Sequence, residues 1–273
     1  MTPLKNIFDF YITSSTHVAL AVVSLAVVTS LHFDFPLDYG LLGFVFFGGV
    51  TGYNFVKYAG IARLHHRSLA RNLRLIQLFS FFCFIALCYF ATVVNPEILF
   101  IAGILGLFTA LYALPILKGK KNLREVAGLK VFLIAFIWAG VTVLFPVVEA
   151  EKSLEQGVIV EFFQRFLFVL ILILPFEIRD LKYDRAQLQT LPQRWGVRRV
   201  KIIGYVLIGL WVGLEFIKDH ASETSIIAIL LAASFTGLSI VRTKEDQSRY
   251  FASFWIEGIP ILWMLMLIFV GYF

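Results

Sequence analysis

Long uninterrupted apolar runs alternate with short polar connections along the whole chain, and the runs show no strict two-residue alternation. With no water in a bilayer core to satisfy backbone N–H and C=O groups, only helices or a closed barrel can span it. Runs of about 20 residues without alternation are the helical solution. A hydropathy pass places nine spans, at 14–31, 41–58, 73–94, 98–117, 129–148, 162–176, 200–216, 225–241 and 251–273. The pattern predicts an all-α polytopic membrane protein.

Composition supports the same class. The 273 residues are 59% hydrophobic and 15% charged, whereas soluble domains carry about 25% charged residues. Mean hydropathy is +0.84. The first run is long enough to span, and no small-residue cleavage site follows it, so it is expected to stay as the first span. Cys83 and Cys88, five apart on one predicted helix, turn to different faces and read as free thiols.

Charge is distributed unevenly among the connections. Lys57, Arg63, Arg67, Arg71 and Arg74 cluster at the end of the second run, Lys118, Lys120, Lys121 and Arg124 after the fourth, and Arg179 to Lys201 after the sixth. The connections DFPLDYG and VNPE carry almost no positive charge. Positive charge stays on the cytoplasmic side, which puts the N-terminus with Lys5 inside and Phe273 outside. A bacterial inner membrane is the expected location. The net charge of +6 is thereby assigned to topology and to anionic membrane lipid, with no nucleic acid as a partner.

Ionisable residues within spans are costly and need a partner or a use. Glu161 and Arg165, four apart with the acid first, are spaced for an ion pair. Glu257, in FWIEGIP, has no basic residue at helical spacing on its own segment. Either a neighbouring helix bonds it, or it is a site acid facing the same space as Asp180. Gly48, Gly49 and Gly52 form a small-residue face suited to close helix packing. Residues 59–72 mix apolar side chains with Arg63, His65, His66 and Arg67, the pattern of an amphipathic surface helix; the adjacent histidines point to different faces and lack a third ligand.

The remaining chemistry concentrates in FEIRDLKYDRAQLQTLPQRWG, residues 176–196. Asp180 and Asp184, one helical turn apart, share a face. Such a pair suits Mg²⁺, which is commonly held by one or two carboxylates together with substrate phosphates. Equally, each aspartate could pair with Arg179, Lys182 or Arg185 in a solvated loop, and spacing alone leaves both readings open.

The surrounding residues add a resemblance. An aromatic, D-x-x-x-D, T-L-P and then a glycine, here Phe176, Asp180, Asp184, Thr190, Leu191, Pro192 and Gly196, closely resemble the second aspartate motif of the UbiA family of intramembrane prenyltransferases. The stretch LYALPILKGKKNLREVAGLK, with Tyr112, Pro115, Lys118, Arg124 and Lys130, is similar to that family's segment between the fourth and fifth spans. The resemblance implies one domain over 1–273, with nine helices around a central cavity open to the inner face. It further implies an alkyl or aryl transferase moving an isoprenoid group from a polyprenyl diphosphate, with Mg²⁺ on Asp180 and Asp184, to an acceptor the sequence does not identify. Lys118, Arg124 and Lys130 become candidate diphosphate contacts, and Asn54 and Glu257 candidate substrate-binding residues.

One part of the pattern differs. The family's first motif, N-D-x-x-D, would begin at Asn54, where this chain reads Asn54-Phe55-Val56-Lys57-Tyr58. Both acids are replaced, and Lys57 stands where an acid-bound cation would lie, able to meet phosphate as a point charge. The loss opens a second reading, a non-catalytic isoprenoid-lipid-binding or scaffold member of the same fold. An ion-coupled transporter would need acids and broken helices in matched halves, and the sequence has no such halves.

Overall fold

The computed structural model describes residues 3–58, 70–114, 128–182, 189–218 and 221–272. The elements are helices α1 (Pro3–Thr13), α2 (Thr16–His32), α3 (Tyr39–Tyr58), α4 (Ala70–Phe90), α5 (Pro96–Ala113), α6 (Leu129–Ala139), α7 (Phe145–Glu149), α8 (Gln156–Asp180), α9 (Leu191–Glu215), α10 (Glu223–Arg242) and α11 (Ile259–Tyr272). A π-helical turn, Gly140–Leu144, joins α6 to α7, and another, Phe251–Ile256, precedes α11. Among the described residues there is no strand.

Local sequence sets several boundaries. Asn95 caps α5 by accepting from the Glu97 N–H at 2.9 Å, and Pro96 occupies a first-turn position that needs no donor. Ser222 caps α10, accepting from the Ser225 N–H at 3.0 Å. At α9 the Gln193 side chain reaches back to the Thr190 N–H at 3.0 Å. Gly196, at φ 75°, then kinks α9 one turn in, a conformation that a side chain disfavours.

Seven helical stretches are long and apolar enough to cross a membrane, and the bent pair α1–α2 raises the number to eight among the described residues. Nine were expected from the sequence. The difference is α9, the expected seventh span: Arg194, Arg198, Arg199 and Lys201 crowd its first turns and Glu215 ends it, so its uncharged stretch is short. The first expected span is also longer than the apolar run implied. α1 meets α2 at 57°, broken at Ser15, which adopts φ 63°.

The helices pack largely in chain order and close on themselves. α2 packs on α3, α3 on α4 and α5, α5 on α6, α6 on α8, α8 on α9, α9 on α10, α10 on α11, and α11 returns to α2. Because lipid tails are as apolar as leucine, such contacts rest on close packing and buried polar bonds. The glycine face of α3 does this in part: Gly49 lies against Ala19 of α2 and Gly48 against Leu87 of α4, while Gly52 faces open space. Phe81, Phe82, Phe84 and Phe100 stand exposed on α4 and α5, the two least buried spans, as lipid-facing side chains do. Cys83 is buried and Cys88 exposed, both as free thiols.

Candidate functional site

The apolar run of α8 ends at Pro175, after which Phe176 to Asp180 turn polar while remaining helical. The proline leaves no N–H for the Ile171 carbonyl one turn back, and the Pro175 carbonyl accepts from Gln247 Nε2 at 3.2 Å. That contact ties the end of α8 to the connection before the last span. Arg179 Nε donates to Asp180 Oδ1 at 2.7 Å, and its guanidinium lies 5.1 Å from the Phe176 ring centre. Asp180 Oδ2 takes no partner among the described residues. Glu177, facing inward, pairs with Lys130 of α6 at 2.6 Å.

The end of α3 holds the break between α1 and α2. Asn54 Nδ2 donates to the Ser14 carbonyl at 2.9 Å and to Ser80 Oγ of α4 at 2.8 Å. The Thr13 carbonyl accepts from Tyr58 Oη at 2.8 Å and from Lys57 Nζ at 3.3 Å. The carbonyls freed by the break are thereby satisfied by side chains of a neighbouring helix. Asp9 of α1 bonds the Tyr250 hydroxyl and lies 3.5 Å from Arg249, so α1 is also fixed to the start of the last span. The hydrogen bond to the Asp9 carboxylate holds the Tyr250 phenol above its ordinary range.

Glu257 follows the second π turn, a feature often found at functional positions. Its carboxylate makes no hydrogen bond or ion pair among the described residues, yet it is within electrostatic reach of Lys57 and Arg179 and of Tyr11 and Tyr53. Tyr53 accepts from Trp138 Nε1 at 2.5 Å and senses Tyr112. Side chains from α1, α3, α5, α6, α8 and the last span thus share one polar neighbourhood. Lys57 and Arg179 bring two positive charges to it, and Glu257 and Asp180 two carboxylates.

The structure brings Asn54, Lys57, Glu257 and Asp180 to the same end of the bundle, whereas Lys130 is engaged by Glu177. Asp184, Lys118 and Arg124 lie outside the described residues, as do His65 and His66. Among the described residues no group of three or more His, Cys, Asp or Glu side chains stands ready to hold a metal. Sequence reading missed Tyr11, Tyr53 and Trp138, and it named Arg179 only as a possible partner of the aspartates. Only Arg179, adjacent to Asp180, carried a signal in the sequence.

No protein-family model and no curated protein sequence matches the chain. Solved structures do. A digeranylgeranylglyceryl phosphate synthase is similar at 19% identity and TM-score 0.60, over 95% of each chain. A UbiA homologue from Aeropyrum pernix K1 is similar at 16% identity and TM-score 0.68, over 93% of this chain and 98% of the other. A UbiA homologue from Archaeoglobus fulgidus, bound to GPP and Mg²⁺, is similar at 13% identity and TM-score 0.62, over 97% and 99%. The chain has the fold of these UbiA homologues.

Proposed function

We propose that the chain is a divergent member of the UbiA family that binds a polyprenyl diphosphate at the Asp180 end of the bundle and transfers its isoprenoid group to an aromatic or lipid acceptor. The observation that carries this reading is the placing of two cations, Lys57 and Arg179, beside an uncommitted oxygen of Asp180. Two cations with donors open to the site can bind an anion through charge-assisted hydrogen bonds. Diphosphate, with oxygens to share between cations and a metal, fits the set.

Asp180 and Asp184 fit the role of Mg²⁺ ligands, since one or two carboxylates with phosphate oxygens and water suffice for that ion. Mg²⁺, when bound, neutralises charge on the leaving diphosphate. Lys57, with Thr13 fixing its ammonium, meets the phosphate from the α3 side, and Lys118 and Arg124 meet it from the connection after α5. Lys130 sits one bond away, holding Glu177 at the foot of α8. These groups stabilise the negative charge that grows as the allylic C–O bond breaks, with the electron pair leaving on the diphosphate. Asn54 fixes the break that carries Thr13, and Glu257 faces the acceptor. The isoprenoid tail lies between the helices, and the site opens to the cytoplasmic side of a bacterial inner membrane, with the N-terminus inside and the C-terminus outside.

A specific observation favours the second reading, a lipid-binding or scaffold role. Tyr58 stands at an acidic position of the family's first motif and its hydroxyl is committed to the Thr13 carbonyl, as is Lys57. The deciding experiment is binding of geranylgeranyl diphosphate to the purified protein with and without Mg²⁺, repeated for Asp180→Asn and Asp184→Asn. Binding that requires Mg²⁺ and falls at least tenfold in both variants supports the transferase. Binding indifferent to metal and to both substitutions overturns it in favour of the lipid-binding role.

A further inference from the structure

At the end of the bundle opposite Asp180, four helices bury a second set of charges. Glu161 Oε1 pairs with Arg165 at 2.6 Å, and Glu161 Oε2 with Lys218 at 2.5 Å and with His32 Nδ1 at 3.1 Å. Lys218 also bonds Glu215 at 2.8 Å, and Gln164 Nε2 donates to Glu215 at 2.8 Å and to the Trp211 carbonyl at 3.2 Å. Arg165 donates to the Leu25 carbonyl at 2.5 Å and to Thr29 Oγ1 at 3.2 Å. Two carboxylates face one guanidinium and one ammonium, and these four charges balance.

The set also needs hydrogen bonds. Trp211 Nε1, Trp263 Nε1, Arg165 Nε, Gln164 Oε1 and His32 Nε2 are buried without a partner among the described residues. Four of the residues gather at one ring: Trp263 lies 5.2 Å from Trp211 and 6.0 Å from His32 by ring centres, and 5.3 Å from the Arg165 guanidinium, while Gln164 joins through the Trp211 carbonyl. The three nitrogens of Trp211, Trp263 and Arg165 are donors and Gln164 Oε1 is an acceptor. His32 Nδ1 faces both the Glu161 carboxylate and the Lys218 ammonium, and Nε2 donates or accepts according to the tautomer. Leaving five such atoms unsatisfied would cost an amount comparable with the stability of a whole domain.

We infer that this cluster is a built binding site for a few internal water molecules. A charge-neutral site presenting both donors and acceptors selects a small neutral molecule that can do both, whereas a bare anion or cation would leave one kind unmet. His32 and Lys218, whose side chains are 6% and 9% exposed, provide the way in from that end. Phe168, stacked 4.5 Å from Trp211 and 5.1 Å from Trp263, closes the site toward the middle of the bundle. The water there is separate from any ligand at the Asp180 end.

The test is X-ray hydroxyl-radical footprinting of the intact protein in lipid nanodiscs, where radicals formed from bound water oxidise the side chains beside it. Phe168 and Phe145 are both buried; Phe168 stacks on Trp211 and Trp263, whereas the ring neighbour of Phe145 is Phe44. Oxidation of Phe168 several-fold faster than Phe145, together with oxidation of Trp211 and Trp263, is the expected result. Phe168 labelled no faster than Phe145 would overturn the inference.

Discussion

The two ends of α8 carry similar residues arranged on opposite principles. Glu161 and Asp180 are about 28 Å apart along one helix, and each is an acid beside an arginine. At the Glu161 end every charged head finds an opposite charge, and the cluster closes on itself with side chains at most 9% exposed. At the Asp180 end, among the described residues, one carboxylate oxygen is uncommitted, Glu257 has no direct partner, and Lys57 hydrogen-bonds only a backbone carbonyl through its ammonium. Closed charge holds helices together. Open charge at membrane depth is costly to keep unless something binds it.

The sharpest way to break that distinction is Glu161→Gln. It strips Arg165, Lys218 and His32 of a shared carboxylate, and leaving buried cations unpaired is expected to cost about 3–5 kcal/mol. Unfolding in detergent should show that loss, while Asp180→Asn unfolds like the parent protein. If both substitutions destabilise equally, the two ends do not differ in kind.

Next in size is Lys57→Ala. If Lys57 meets phosphate, its removal weakens geranylgeranyl diphosphate binding about tenfold, or about 1.4 kcal/mol, and flattens the dependence on ionic strength. Titration at two salt concentrations reads both effects. Unchanged affinity would reduce Lys57 to a strut for the α1–α2 break.

These two residues also mark what the sequence made legible. The Glu161–Arg165 pair could be read because both lie on one helix, four apart. His32, Glu215 and Lys218 could not, since they arrive from α2 and α9 through tertiary packing that no local period encodes. The helical fold and the position of Asp180 followed from apolar run length, because a bilayer enforces that length. The bend at Ser15 did not: α1 is short and half polar, and its anchors at Asn54, Lys57 and Tyr58 come from another helix. Glu257 was visible as an acid without a partner on its own segment; that Lys57 and Arg179 surround it required the folded chain.

Glu257→Gln sharpens the account of the open end, with a smaller effect of opposite sign. Removing a carboxylate beside Lys57 and Arg179 leaves more positive potential for a diphosphate, so donor affinity should rise about threefold, close to 0.6 kcal/mol. Calorimetry resolves a change of that size. A fall in affinity would instead place Glu257 among the groups that hold the donor or its metal.

The smallest expected effect belongs to a pair that fits neither pattern. Lys182 Nζ lies 3.3 Å from Asp246, close in sequence to Asp180, but the Asp246 side chain is fully exposed. Water screens such a pair and ordering two mobile side chains offsets what attraction remains. Asp246→Asn should therefore leave both the unfolding midpoint and geranylgeranyl diphosphate affinity unchanged. The same charge change is expected to be large at Glu161, buried between Arg165 and Lys218, and negligible at Asp246, which bulk water reaches. A measurable loss of affinity in Asp246→Asn would mean that the open end extends beyond Asp180 into the connection before the last span, and that Lys182 and Gln247 belong to the ligand site.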